Sequence, residues 1–133
     1  DLMGSLNIAI YAIGIISSIV AGIVIMNVMF MSVSERTTEI GAMKAIGATN
    51  KQVLSEVITE SVVMSLVGGT LGVFVSFVLA KSLNIYLDTR LMEVTGRLII
   101  ISILYSGFLG ALGSFLPARQ AMNIDPIEAL RYE

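Results

Sequence analysis

Few side chains in this 133-residue chain could do chemistry at a regular spacing. Gln52, Glu56 and Glu60 recur every four residues, which on a helix aligns them on one face. Their surroundings are largely apolar, and a carboxylate deep in hydrocarbon costs about 2.5–3.5 kcal/mol even on insertion scales. Such a face must meet water, protein or a cation. Arg36 and Arg119 are candidate ion-pair partners for Glu60, whereas Glu56 reads as projecting beyond the bilayer. The chain has no His and no Cys, which removes the commonest general base, thiol nucleophiles and thiolate metal sites. No catalytic residue and no metal are expected. Net charge is −2, so nothing suggests a nucleic-acid surface.

The elements that carry these residues follow from where charge is missing. Hydrophobic residues make up 56% of the chain and charged ones 14%, against roughly 25% charged in an ordinary soluble domain. No charge occurs between Asp1 and Glu35, between Glu60 and Lys81, or between Arg97 and Arg119. Each gap accommodates the roughly 20 apolar residues that cross a bilayer as helix. The expected fold is therefore an all-α integral membrane protein of three transmembrane helices, at about 6–33, 53–80 and 98–117. A short helix within segment 34–49 joins the first two, an outer loop spans 81–97, and a tail with its own short helix covers 118–133. The apolar run after Asp1 has no basic flank and is too long for a signal-peptide core, so the chain reads as the carboxy-terminal piece of something longer.

Local signals sharpen this outline. Small residues recur every four positions at Gly14, Ser18 and Gly22, again around Gly68, Gly69 and Gly72, and again at Ser106, Gly110 and Ser114. Such ladders let helix backbones approach closely, as packing inside a bundle or as a dimer seam. In segment 34–49, Ile40, Met43 and Ile46 form a short apolar stripe, and Gly41 and Gly47 argue against a long helix. Thr49 and Gln52 have capping-box spacing and open a helix expected to run to about Leu83. Pro117 falls where the third span should leave the bilayer, at or near a kink. In the tail, Asp125 can cap a helix that places Pro126 first and Glu128 third, with Ile127 and Leu130 on one side. The outer loop mixes Asp88, Arg90 and Glu93 with apolar Leu83, Ile85, Leu87 and Leu91. Orientation is weakly encoded. Arg36, Lys44, Lys51, Arg119 and Arg131 lie on one side and Lys81, Arg90 and Arg97 on a shorter stretch of the other, so charge counting alone leaves it open.

Three stretches carry a resemblance: Ser32–Thr49 (SVSERTTEIGAMKAIGAT), Glu60–Gly72 (ESVVMSLVGGTLG) and Pro117–Arg131 (PARQAMNIDPIEALR). Together, in this order, they resemble the FtsX-like permease domain, the membrane part of MacB- and LolC/LolE-type ABC transporters. The family has four transmembrane helices, with a large extracytoplasmic domain after the first, and this chain resembles the last three. The resemblance implies a multi-pass protein of the plasma or inner membrane. The amino end of this segment would be extracytoplasmic and its carboxy end cytoplasmic, with a coupling helix inside 34–49 against an ABC ATPase. It implies mechanotransmission, a second permease copy in a homo- or heterodimer, contact with lipid, and an extracytoplasmic adaptor as a further partner. No G-x-x-x-x-G-K-[ST] occurs, so ATP and Mg would be bound by the partner ATPase, with no cofactor in this chain.

On that mapping, Glu35, Arg36, Glu39 and Lys44 supply polar contacts to the ATPase or fix the bend. Gly41 and Gly47 permit the turn, and Ile40, Met43 and Ile46 dock on the partner or the bilayer surface. Gly14, Ser18, Gly22, Gly68, Gly72 and Gly110 are the helix-packing or dimer-seam candidates. Two other functions stay open at this stage. One is an FtsX-type regulator that transmits ATPase motion to an extracellular cell-wall hydrolase; the other is a small structural three-helix membrane protein.

Overall fold

A computed structural model describes residues 2–86 and 94–131. It consists of α1 (Leu2–Glu35), α2 (Thr37–Ala45), α3 (Asn50–Tyr86), α4 (Gly96–Met122) and α5 (Pro126–Arg131). Helices α1, α3 and α4 are long and apolar enough to cross a membrane. The expected all-α architecture of three spans and two short helices is thus the one observed. The expectations for Leu87, Asp88, Arg90, Leu91 and Glu93, and for the side chains of Glu128, Leu130 and Arg131, lie outside the described residues.

Two boundaries differ from the sequence reading. Lys81 and Leu83 are helical, as a helix to about Leu83 requires and an outer loop from 81 does not, and Ile85 carries α3 further still, because no Gly or Pro interrupts the chain between Gly72 and Gly96. The helix simply continues, and Ser82 folds its hydroxyl onto the Val78 carbonyl at 2.9 Å. At the other end, α4 does not stop at Pro117 but runs on to Met122. Pro117 is fully buried, and Ala118 and Ala121 beyond it have no exposed surface, so packing outweighs the donor that proline lacks.

At ~1.5 Å per residue α1 and α3 are each about 50 Å long, well beyond a ~30 Å hydrocarbon core. The buried core is concentrated at one end. The hydrophobic core consists of Met29 and Val33 from α1, Ile40 from α2, Val53 and Val57 from α3, and Ala118 and Ala121 from α4. All of these sit near the α2 elbow. Helix α4 is the central element: it packs along α3 and against the carboxy-terminal half of α1, whereas α1 and α3 scarcely touch. Away from the elbow, residues 2–17 of α1 are exposed throughout. The three spans close together at the elbow; toward the far end α3 and α4 stay paired, with Gly69 against Ser106, and α1 stands apart.

Candidate functional site

The elbow is built from local rules. Glu35 ends α1, and Arg36, at φ −103° and ψ 17°, is a one-residue break before α2. Ser34 donates its hydroxyl to the Phe30 carbonyl (2.8 Å), and Thr37 donates to the Ser34 carbonyl (2.8 Å), so both polar side chains are spent inside the bend. Glu39 lies in the first turn of α2 and Lys44 in the last, the sense that the helix dipole favours. The helix ends in a Schellman motif. The Ala48 amide donates to the Met43 carbonyl (2.9 Å) and the Gly47 amide to the Lys44 carbonyl (3.1 Å), with Gly47 at φ +107°. A capping box then starts α3: the Thr49 amide donates to Gln52 Oε1 (2.7 Å) and the Gln52 amide to Thr49 Oγ1 (3.3 Å).

Helix α2 has an inner and an outer face. On the inner face Ile40 is 5% exposed and sits in the core, with Met43 packed against it. Gly41 is buried, and a Cβ there would collide with the Cβ of Ala129 and approach the Pro126 backbone. The Lys44 ammonium donates to the Met122 carbonyl at 2.9 Å and to the Ile124 carbonyl at 2.6 Å. The outer face presents Thr38, Glu39, Ala42, Ala45 and Ile46, the last 89% exposed.

This geometry redistributes the roles expected of the segment. Gly47, and not Gly41, makes the turn, because only Gly47 has a left-handed backbone. Gly41 is mid-helix and permits the close approach of α5. Ile40 and Met43 are directed into the bundle, leaving Ile46 as the member of the apolar stripe free to meet a partner or the bilayer surface. Lys44 is committed to backbone carbonyls of this chain. Glu35 and Glu39 remain exposed.

The stripe on α3 divides as well. Gln52 is used by the capping box, Glu56 is exposed, and Glu60 accepts from Arg36 Nη1 at 3.1 Å. Arg119 instead places its guanidinium over the Phe115 ring, 5.9 Å from the centroid. Between α2 and α3 a notch of about 40 Å³ is bordered by Arg36, Glu39, Glu56 and Glu60. Among the described residues no group of His, Cys, Asp or Glu could hold a metal ion.

The small-residue ladders sort into two kinds. The α3–α4 seam brings Ser61, Ser65 and Gly69 against Ser106 and Gly110, and Ser114 is buried further along α4. The Ser61 hydroxyl donates to the Gly110 carbonyl at 2.9 Å, and added Cβ atoms would meet Ser65 at Gly110 and Ser106 at Gly69. Gly113 abuts Ile25 and the Gly22 carbonyl, 3.0 Å from where its Cβ would be. Gly68 and Gly72 are turned away, with nothing within 4 Å of an added Cβ. The seam on α3 is the ladder Ser61–Ser65–Gly69, about 100° round the helix from Gly68; of the three glycines Gly68, Gly69 and Gly72, Gly69 is the one that packs on α4. Gly14 and Gly22 also face open space and, with Ser18, line an apolar groove of about 840 Å³ between α1 and α4, opposite Tyr105, Phe108 and Leu112.

Comparison with known proteins places this arrangement. The family model "FtsX-like permease C-terminal" matches residues 11–126. The chain is 38% identical over 129 residues to a macrolide export ATP-binding/permease protein MacB of Hahella chejuensis, covering 97% of the chain and 20% of that protein. It is 42% identical over 127 residues to the MacB of Rhodopseudomonas palustris, covering 96% and 19%. The MacB of Chromobacterium violaceum is 37% identical over 129 residues, covering 97% and 20%. The chain thus spans about a fifth of the length of the curated relatives it matches. Three membrane-length helices around a capped elbow, with a family match running from within α1 to the first residue of α5, establish that the chain belongs to the FtsX-like permease family.

Proposed function

We infer that this chain is the membrane-spanning permease part of an ABC exporter, and that α2 is the coupling helix on which a partner ATPase presses. The observation that carries the reading is the architecture of the elbow. A short helix outside the long spans is packed from within by the hydrophobic core and presents Glu39, Ala42, Ala45 and Ile46 outward. The core lies beside that helix, so a push on α2 meets a packed structure. The exposed amino-terminal half of α1 is left to move. ATP hydrolysis belongs to the ATPase, and the elbow faces the cytoplasm where ATP is found. The relatives' names, which join export to an ATP-binding and permease protein, support transport over regulation of a cell-wall hydrolase.

The test is a pair of outer-face variants, Glu39→Lys and Ile46→Asp, in the intact permease reconstituted with its ATPase. Both leave the buried face untouched. The expected result is normal membrane insertion and continued ATP hydrolysis, with transport per ATP hydrolysed reduced at least several-fold. Wild-type transport and hydrolysis in both variants would remove α2 as the contact.

A further inference from the structure

Lys44 lies on α2, yet its ammonium is satisfied by carbonyls from α4 and the turn that follows it. The last carbonyls of a helix have no intrahelical donors and form its negative end. In α4, those of Gln120 and Ala121 take amides of the terminal turn, from Asn123 and Ile124. The carbonyl of Met122 instead accepts from Lys44, as does that of Ile124. Arg119, the basic residue in α4's own last turn, is turned aside onto Phe115. The cation that complements the end of α4 is therefore supplied from α2. One turn earlier on α2, Gly41 lets Ala129 of α5 come into direct contact.

The connections of α2 to its sequence neighbours differ in kind. Toward α1 the link is the single non-helical residue Arg36, and toward α3 it is the left-handed Gly47. Both are breaks in helical geometry where the backbone can bend, while Ile40 keeps α2 seated on the core shared with α1 and α3. Helix α2 packs far more extensively on α5 than on α1.

We propose that α2, α5 and the carboxy end of α4 move as one body, with Lys44 as the positioning residue that fastens α2 to α4. A push received on α2 is then delivered to α4, the central helix, and reaches α1 and α3 through their packing on it. The proposal deepens the coupling role assigned to α2 above and rests on it. It names the receiving helix and the fastening.

The experiment is dipolar distance measurement in the intact permease with its ATPase in lipid nanodiscs, using spin labels on paired cysteines at exposed positions. One pair, Ala42→Cys with Gln120→Cys, reports α2 against α4; the other, Ala42→Cys with Met31→Cys, reports α2 against α1. Each is read without nucleotide and with ATP bound. The expected result is an α2–α4 distribution that is narrow and the same in both states, while the α2–α1 distance shifts. Lys44→Met keeps the aliphatic stem and removes the donors. It should broaden the α2–α4 distribution at least twofold and lower transport per ATP several-fold, and Lys44→Arg should restore both. An α2–α4 distance that shifts with ATP overturns the single body, and a distribution left narrow in Lys44→Met overturns the fastening. If neither pair responds to ATP while Lys44→Met still broadens the first, the coupling role of α2 falls and delivery of force falls with it.

Discussion

Arg36 and Glu60 meet at 3.1 Å across the elbow, tying the one-residue break after α1 to the third turn of α3. The pair is half in water: the arginine side chain is 53% exposed and the glutamate 24%. Screening limits such a contact to about 0.5–1 kcal/mol. Its value is geometric, since it fixes where the break lies relative to α3. Glu60→Gln and Arg36→Gln should each lower the thermal midpoint in detergent slightly, and the double-mutant cycle should return a coupling of about 0.5–1 kcal/mol. Exchanging the charges, Arg36→Glu with Glu60→Arg, should recover most of the loss. Full additivity of the two single variants would mean that the pair contributes nothing.

The approach of Gly41 to Ala129 predicts a compensating pair. Gly41→Ala alone forces two Cβ atoms into the same space and should destabilise by about 1–3 kcal/mol, despite the better helix propensity of alanine. Adding Ala129→Gly empties that space and should bring stability back to within about 1 kcal/mol of wild type. Limited proteolysis of the tail reads the undocking of α5 directly.

Gly47 and Gly68 should respond oppositely to the same substitution. Gly47→Ala places a Cβ at φ +107° and should cost about 1 kcal/mol or more, with Gly47→Asn milder. Gly68→Ala adds a methyl to a helix with nothing within 4 Å and should gain about 0.5–1 kcal/mol. Thermal midpoints of the three variants, measured side by side in one detergent, decide the matter.

Between α3 and α4, Gly110→Ala should push Ser65 aside and strain the Ser61 hydrogen bond, lowering stability by about 1–3 kcal/mol. Ser61→Ala should cost about 0.5–1.5 kcal/mol, because one buried bond is lost and the Gly110 carbonyl loses a donor. By contrast, Gly14→Ala and Gly22→Ala should leave the midpoint at or above wild type, since both glycines face the open groove. A fall at Gly14 or Gly22 as large as at Gly110 would contradict the packing described.

Spans, caps and turn chemistry were legible because they depend on short stretches of sequence. The Thr49–Gln52 capping box and the Asp125 cap, whose carboxylate accepts the Ile127 amide at 2.9 Å, both follow from residue type at fixed spacing. What the sequence hid were choices between equivalent faces. Gly68–Gly72 and Ser65–Gly69 have the same spacing, and only the rotation of α3 against α4 decides which ladder is used. Lys44 reads from the sequence as a contact for the ATPase or a brace of the bend; its partners stay hidden because they are backbone carbonyls some 80 positions away, and a carbonyl has no residue type to read. Ile40 and Ile46 likewise share a stripe, yet one is buried and the other bare because α2 ends before the stripe does.

The one-sided closure of the bundle gives it leverage. From Gly22, where α1 still leans on Gly113, to Leu2 is roughly 30 Å of helix, exposed over residues 2–17. A tilt of about 5° at that fulcrum displaces the tip by about 2–3 Å, on a rod of that length. On the coupling role proposed for α2, a small tilt at the hub would reach the far tip of α1 as a movement wide enough to make or break a contact.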